Sequence, residues 1–133
     1  MLIIDKTVPD DSYREHKGLM WVLNHLKYVK ADQADYAYDQ DYVGFFPLPD
    51  QKFKIASIPD RLVDVDLIYV ADTYGVYASE FYLKDRRGSF SSSLYGGLEE
   101  KEARSIREAV QSGTALIAEF NSFATPTKPG ARQ

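Results

Sequence analysis

Three apolar runs end on an acidic residue just where a turn begins: LIID at Leu2–Asp5, LIYVAD at Leu67–Asp72, and ALIAEF at Ala115–Phe120, with Glu119 next to the end of the third. Short apolar runs bounded by turn signals fit buried strands, and helical apolar periodicity falls between them. Strands alternating with helices favour a mostly parallel sheet joined by right-handed crossovers. If all three strands run the same way, Asp5, Asp72 and Glu119 lie along one edge. Open α/β sheets bind their ligands at that edge, where the strand order reverses.

The remaining elements follow from local pattern. Leu19, Val22, Leu23, Leu26 and Val29 recur at helical spacing and predict a helix over Tyr13–Val29, opened by the capping-box form of Ser12 and Glu15. Tyr42–Phe46 is β-prone, and the polar residues before it predict an edge strand. Pro47, Pro49 and Pro59 predict irregular chain over 47–65, with a short extended piece at Lys54–Ile58. A short helix is expected near Ser79–Lys84, and a polar loop over Arg86–Gly97. A second full helix follows over Glu99–Ser112, with Ala103, Ile106 and Val110 inward and Gly113 ending it. The expected architecture is α/β: one mostly parallel sheet of about four strands with helices on both faces. It forms one domain over residues 1–125, and 126–133 is a tail without a core-forming pattern.

Composition removes whole classes of function. The formal net charge is −4 and no basic stretch exceeds Arg86-Arg87, so the electrostatic footprint of nucleic-acid binding is missing. There is no cysteine, which excludes disulfides, thiolate metal sites and cysteine nucleophiles. No apolar run approaches the ~20 residues that span a bilayer. Walker, G-x-G-x-x-G and G-x-S-x-G patterns do not occur.

Candidate site residues cluster at the acidic edge. Asp5, Asp72 and Glu119 there could share a divalent cation or shift one another's proton affinity, as hydrolytic or metal sites require. Capping of their own turns is the competing role for such residues. His16 opens the first helix beneath the same edge and is a fourth catalytic candidate beside Asp5. Thr7, Thr73, Tyr74, Asn121 and Thr125 add hydroxyls, an amide and an aromatic plane, a mixture that suits a polar or polyhydroxylated ligand. His25 lies nine residues past His16, about 13 Å along the axis, so the two cannot share a metal. With Trp21 and Tyr28 it forms a second stripe, a candidate contact surface for a homo-oligomer.

The stretches LIIDKTVPD, EHKGLMWVLNHLKYVK, DYVGFFPL, DLIYVADTYGVY, YGGLEEKE and AEFNSFATPT together resemble the class I glutamine amidotransferase-like fold, in an uncharacterised branch found in bacterial membrane-associated proteins. The resemblance implies a flavodoxin-like three-layer sandwich. It also implies a longer domain, of which this chain would be a fragment with an anchor or further strands elsewhere, on the extracytoplasmic face of a membrane. A cytoplasmic location is the alternative. The family's nucleophile is a cysteine in a strand-to-helix elbow, with a histidine late in the chain; this sequence has neither, so glutamine hydrolysis does not carry over.

Three functions therefore stand as expectations. The first is a non-catalytic domain that binds a polar small ligand or a protein partner and needs no cofactor. The second is a carboxylate- or metal-dependent hydrolase, acting on glycosides for example, built on Asp5, Asp72 and Glu119. The third is a structural or oligomerising module.

Overall fold

Ile3 and Ile4 show how the chain divides its apolar residues. In the first strand, β1 (Leu2–Asp5), neighbouring side chains point to opposite faces. Ile3 packs with Met20 and Leu23 of the helix α1 (Arg14–His25). Ile4 packs with Ile106 and Ala109 of α3 (Glu100–Gln111) on the other face. The computed structural model describes residues 1–84 and 91–132. It is α/β, with three helices and a mostly parallel mixed sheet of five strands.

The sheet order is β3 (Lys52–Ala56), β2 (Val43–Leu48), β1, β4 (Leu67–Asp72), β7 (Ala115–Ala118). β2, β1, β4 and β7 run parallel, and β3 pairs antiparallel with β2. The expected common direction of the three acid-tipped strands is thus observed. The chain grows from β1 to β2 on one side and from β4 to β7 on the other, so the order reverses between β1 and β4. A register shift there skips Ala71 and brings Asp5 abreast of Asp72.

Tyr42–Phe46 is not an edge strand as its polar approach had indicated. β2 lies between β1 and β3, because residues 52–56 fold back through a turn in which Asp50 and Gln51 take left-handed φ values of 58° and 56°. Pro47 is tolerated because β1 pairs only with Val43 and Gly44, and the strand continues beyond it. Gly44 is required where the two strands meet. Its φ is +142°, and a Cβ there would lie 1.7 Å from the Asp5 carbonyl oxygen.

The first helix is shorter than its periodicity, ending at His25 where Lys27 turns left-handed at φ 62°. Its expected capping box does not form. Tyr13, with φ 48°, occupies the cap position, Ser12 N–H donates to Asp10, and Glu15 pairs with Arg14 at 2.5 Å. A capping box does form at α3, where the Glu102 carboxylate accepts the Glu99 N–H at 2.9 Å. Val110, expected inward, is partly exposed, and Ala109 takes the buried place.

Between β4 and α3 the chain makes an excursion: β5 (Val76–Tyr77), the short helix α2 (Ala78–Leu83) and β6 (Ser93–Tyr95), with β5 and β6 antiparallel. Val76 and Phe81 pack on Phe45 in a third apolar cluster. The expected polar loop over Arg86–Gly97 falls in part outside the described residues. The segment expected to be a coreless tail buries Thr127 and Ala131 against the α3 side of the sheet. Small residues such as these carry no periodic signal. Among the described residues no helix is long and apolar enough to cross a membrane.

Lys6, directly after β1, is fully buried. Its ammonium donates to the Glu102 carboxylate at 2.6 Å and to the Gly97 carbonyl at 2.8 Å, and it lies 4.9 Å from the centre of the Tyr95 ring. Burial pushes the Lys6 ammonium below its ordinary range, and Glu102 opposes that shift. Removing one member of a buried pair strands the other charge and costs about 3–5 kcal/mol, whereas replacing both by apolar groups is far milder. Lys6→Ala should therefore lower the urea-unfolding free energy by that amount. Lys6→Met combined with Glu102→Leu should recover most of it.

Candidate functional site

The C-terminal ends of β1, β4 and β7 form a rim, and Asp5 and Asp72 do different work on it. Asp5 is fully buried. Its Oδ1 accepts the Thr7 N–H at 2.9 Å, and its Oδ2 meets His16 Nδ1 at 2.5 Å. His16 Nε2 lies 2.7 Å from the Tyr38 carbonyl. A carbonyl only accepts, so Nε2 is the ring nitrogen that carries a hydrogen toward Tyr38, while Nδ1 faces the carboxylate. Tyr42 lies over the imidazole at 4.5 Å and Tyr13 meets it edge-on at 5.9 Å. Both oxygens of Asp5 and both ring nitrogens of His16 are thus occupied beneath the rim.

Asp72 is also nearly buried, and it joins three loops. Its Oδ1 accepts the Tyr74 N–H at 2.5 Å and the Thr7 hydroxyl at 3.0 Å, while its Oδ2 accepts the Asn121 amide at 3.1 Å. Thr7 Oγ1 in turn accepts the Gly75 N–H at 2.9 Å. Gly75 has φ +98° and a Cβ there would lie 2.2 Å from the Tyr95 carbonyl oxygen, so glycine alone lets β5 and β6 close over this corner. Glu119 is exposed and accepts the Tyr69 hydroxyl.

Above this network lies a crevice of about 600 Å³, lined by Thr7, Arg14, Glu15, Ala71, Asp72, Tyr74, Glu80, Glu119 and Asn121. It gathers Thr7, Asp72, Tyr74, Glu119 and Asn121 from the sequence candidates. It leaves out Asp5 and His16, which lie below. Thr73 is also outside: it is buried, donating to the Ser122 carbonyl at 2.8 Å with Thr127 Oγ1 3.0 Å away. Thr125 is exposed and does not line the crevice. Arg14, Glu15 and Glu80 were missed. The first two were legible as the turn of a helix that opens onto the rim. Glu80 reaches it only through the excursion between β4 and α3.

Neither protein-family models, nor curated proteins, nor solved structures gave a match to this chain. The chemistry of the site therefore rests on its own geometry. Among the described residues no group of three or more His, Asp or Glu is placed to hold a metal ion. Asp5, Asp72 and Glu119 share a rim without converging on one point: Asp5 is turned toward His16, Asp72 is used by three loops, and Glu119 leans on Tyr69. The crevice carries four carboxylates, from Glu15, Asp72, Glu80 and Glu119, against the one guanidinium of Arg14. Its field therefore favours cations and neutral hydrogen-bonding groups over anions.

Three tyrosines packed in or against the apolar clusters, Tyr42, Tyr69 and Tyr95, make a pH signature. Burial raises the Tyr42 phenol well above its ordinary value, and its hydroxyl donates to the Phe45 carbonyl at 2.7 Å. Burial likewise raises Tyr95, and burial with the Glu119 bond brings Tyr69 up to about 12. Unfolded phenols ionise near 10. Above about pH 10 the unfolded chain therefore releases protons that the folded one keeps, and stability falls as pH rises, by up to about 1.4 kcal/mol per pH unit for one tyrosine. Lys6 acts in the opposite sense just below 10.5, because the folded state gives up that proton first. The urea midpoint should drop between about pH 10 and pH 12. Tyr42→Phe should lower stability at neutral pH and flatten that drop.

Proposed function

We propose that this chain is a non-catalytic binding domain that holds a polar small ligand, hydroxylated or cationic, in the crevice at the C-terminal edge of its sheet. The observation that carries the reading is the division of labour among the rim residues. Asp5, His16 and Asp72 are consumed in hydrogen bonds that hold the fold. Tyr74, half exposed, stands with Asn121, Arg14 and three glutamates around an open space at the point where the strand order reverses. An acid/base pair for hydrolysis needs two carboxyl groups free to face one bond, and here the two central carboxylates are already engaged.

The amidotransferase-like resemblance supports the same reading, since the family's cysteine is missing while a polar crevice is retained. The parallel strand order, with α1 and α3 on opposite faces, supports a flavodoxin-like three-layer arrangement. The resemblance also supports a place in a bacterial envelope protein, on the extracytoplasmic face.

The test is a thermal-shift panel of neutral sugars, linear polyamines, divalent cations and anionic sugars, followed by calorimetry on any hit. A ligand at a hundred times its dissociation constant adds about 2.7 kcal/mol, a clear shift for a domain of this size. Neutral or cationic compounds should bind, and anionic ones should not. Tyr74→Ala should weaken binding at least about tenfold, the loss of one ring contact, with the melting temperature of the free protein unchanged. A panel that binds nothing, or a hit whose affinity is indifferent to Tyr74, would remove the proposal.

A further inference from the structure

The two edges of the sheet are built differently. β3 ends one side and presents exposed Lys52 and Lys54, charges that block edge-to-edge pairing. β7 ends the other side with the sequence ALIA, which has neither charge nor proline. Ala115 and Glu119 N–H groups donate to the Asp66 and Val70 carbonyls of the β4 side. By the alternation of a strand, Leu116 and Ala118 turn their backbone groups outward. Among the described residues β7 pairs with β4 alone. Leu116 is 42% exposed on the α3 face and Ile117 is 50% exposed on the α1 face. Whatever covers this edge must therefore supply backbone hydrogen bonds and be apolar on both faces.

We propose that the occupant is a second copy of this chain, paired antiparallel along β7 about a twofold axis at Leu116. A twofold perpendicular to the sheet keeps each face on its own side, so outward-turned residues meet outward-turned residues. Centred on Leu116, this sets Leu116 opposite Leu116, Ala115 opposite Ile117, and Gly113 opposite Glu119. The two leucines close an apolar groove already lined by Val110, Phe123 and Leu116. On the other face the large Ile117 lies beside the small Ala115. Charge fits as well: two chains of net charge −4 meet through an uncharged seam, with Glu119 against a glycine rather than a second acid. The ladder is short, because the Thr114 N–H is already taken by the Ala109 carbonyl. A seam this short belongs with the small, transient interfaces rather than with those that bury about 800 Å² per partner, so a weak dimer is expected, with a Kd on the order of 10–100 μM.

Sedimentation of the intact chain from about 5 μM to about 500 μM spans that range and should show a reversible monomer–dimer equilibrium. Leu116→Lys should remain monomeric throughout with an unchanged circular dichroism spectrum. The chain has no cysteine, so single thiols report the register. Leu116→Cys should cross-link on mild oxidation, since hydrogen-bonded pairs lie about 5.5 Å apart at Cα, within disulfide reach. Ile117→Cys should not, because the two positions are about 8 Å apart on the diagonal. A chain that stays monomeric at the highest concentration overturns the proposal, as does a dimer that survives Leu116→Lys or cross-links equally through either thiol.

Discussion

A single carboxylate holds the C-terminal rim of the sheet together. Asp72 sits at the tip of β4, between β1 and the edge strand β7, and accepts hydrogen bonds from the chain after β1 through Thr7, from its own turn at Tyr74, and from the chain after β7 through Asn121. Charge-assisted bonds of this kind are the stronger class, and three loops depend on this one acceptor. The crevice above it has a defined shape because its walls share that anchor.

The two residues that end and follow β1 fasten the layers. Asp5 turns to one face and holds His16 of α1, while Lys6 turns to the other and holds Glu102 of α3. Each of these pairs is buried, and each partner has further bonds, to the Tyr38 and Gly97 carbonyls among others. Among the described residues no buried side-chain nitrogen or oxygen is left without a hydrogen bond. A buried ion pair such as Lys6–Glu102 contributes little net stability against apolar substitutes, but it and the buried Asp5–His16 hydrogen bond penalise any arrangement that separates their partners. Consecutive residues with opposite directions thus fix where both helices lie on the sheet.

Much of this was legible in the sequence, and the rest was hidden for physical reasons. The acid-tipped runs announced the parallel strands, the reversal between β1 and β4, and a crevice that includes Asp72, Glu119, Tyr74, Thr7 and Asn121. His16 was legible beneath the rim because its helical position lies on the buried stripe. The Lys6–Glu102 pair was not, since its members are separated by 96 positions and a buried lysine contradicts ordinary composition rules. β3 was blurred by neighbouring prolines and by lysines that mark an edge rather than a core. The N-terminal cap of α1 was misread because Tyr13 takes a left-handed conformation that leaves Ser12 outside the helix. For Asp5 and Asp72 the sequence left chemistry and turn capping side by side; their bonds to His16, Thr7 and Asn121 depend on neighbours that the local pattern does not reveal.

Gly44 has a consequence for assembly of the sheet. The Asp5 carbonyl occupies the place where any side chain of that residue would begin. Sliding β2 by one position along β1 would bring Val43 or Phe45 to the same spot, and neither can be accommodated. The contact therefore acts as a key that admits one alignment of the two strands. That alignment sends Phe45 to the cluster under α2 and Phe46 to the α1 face, so a missing side chain determines where two of the largest present ones go.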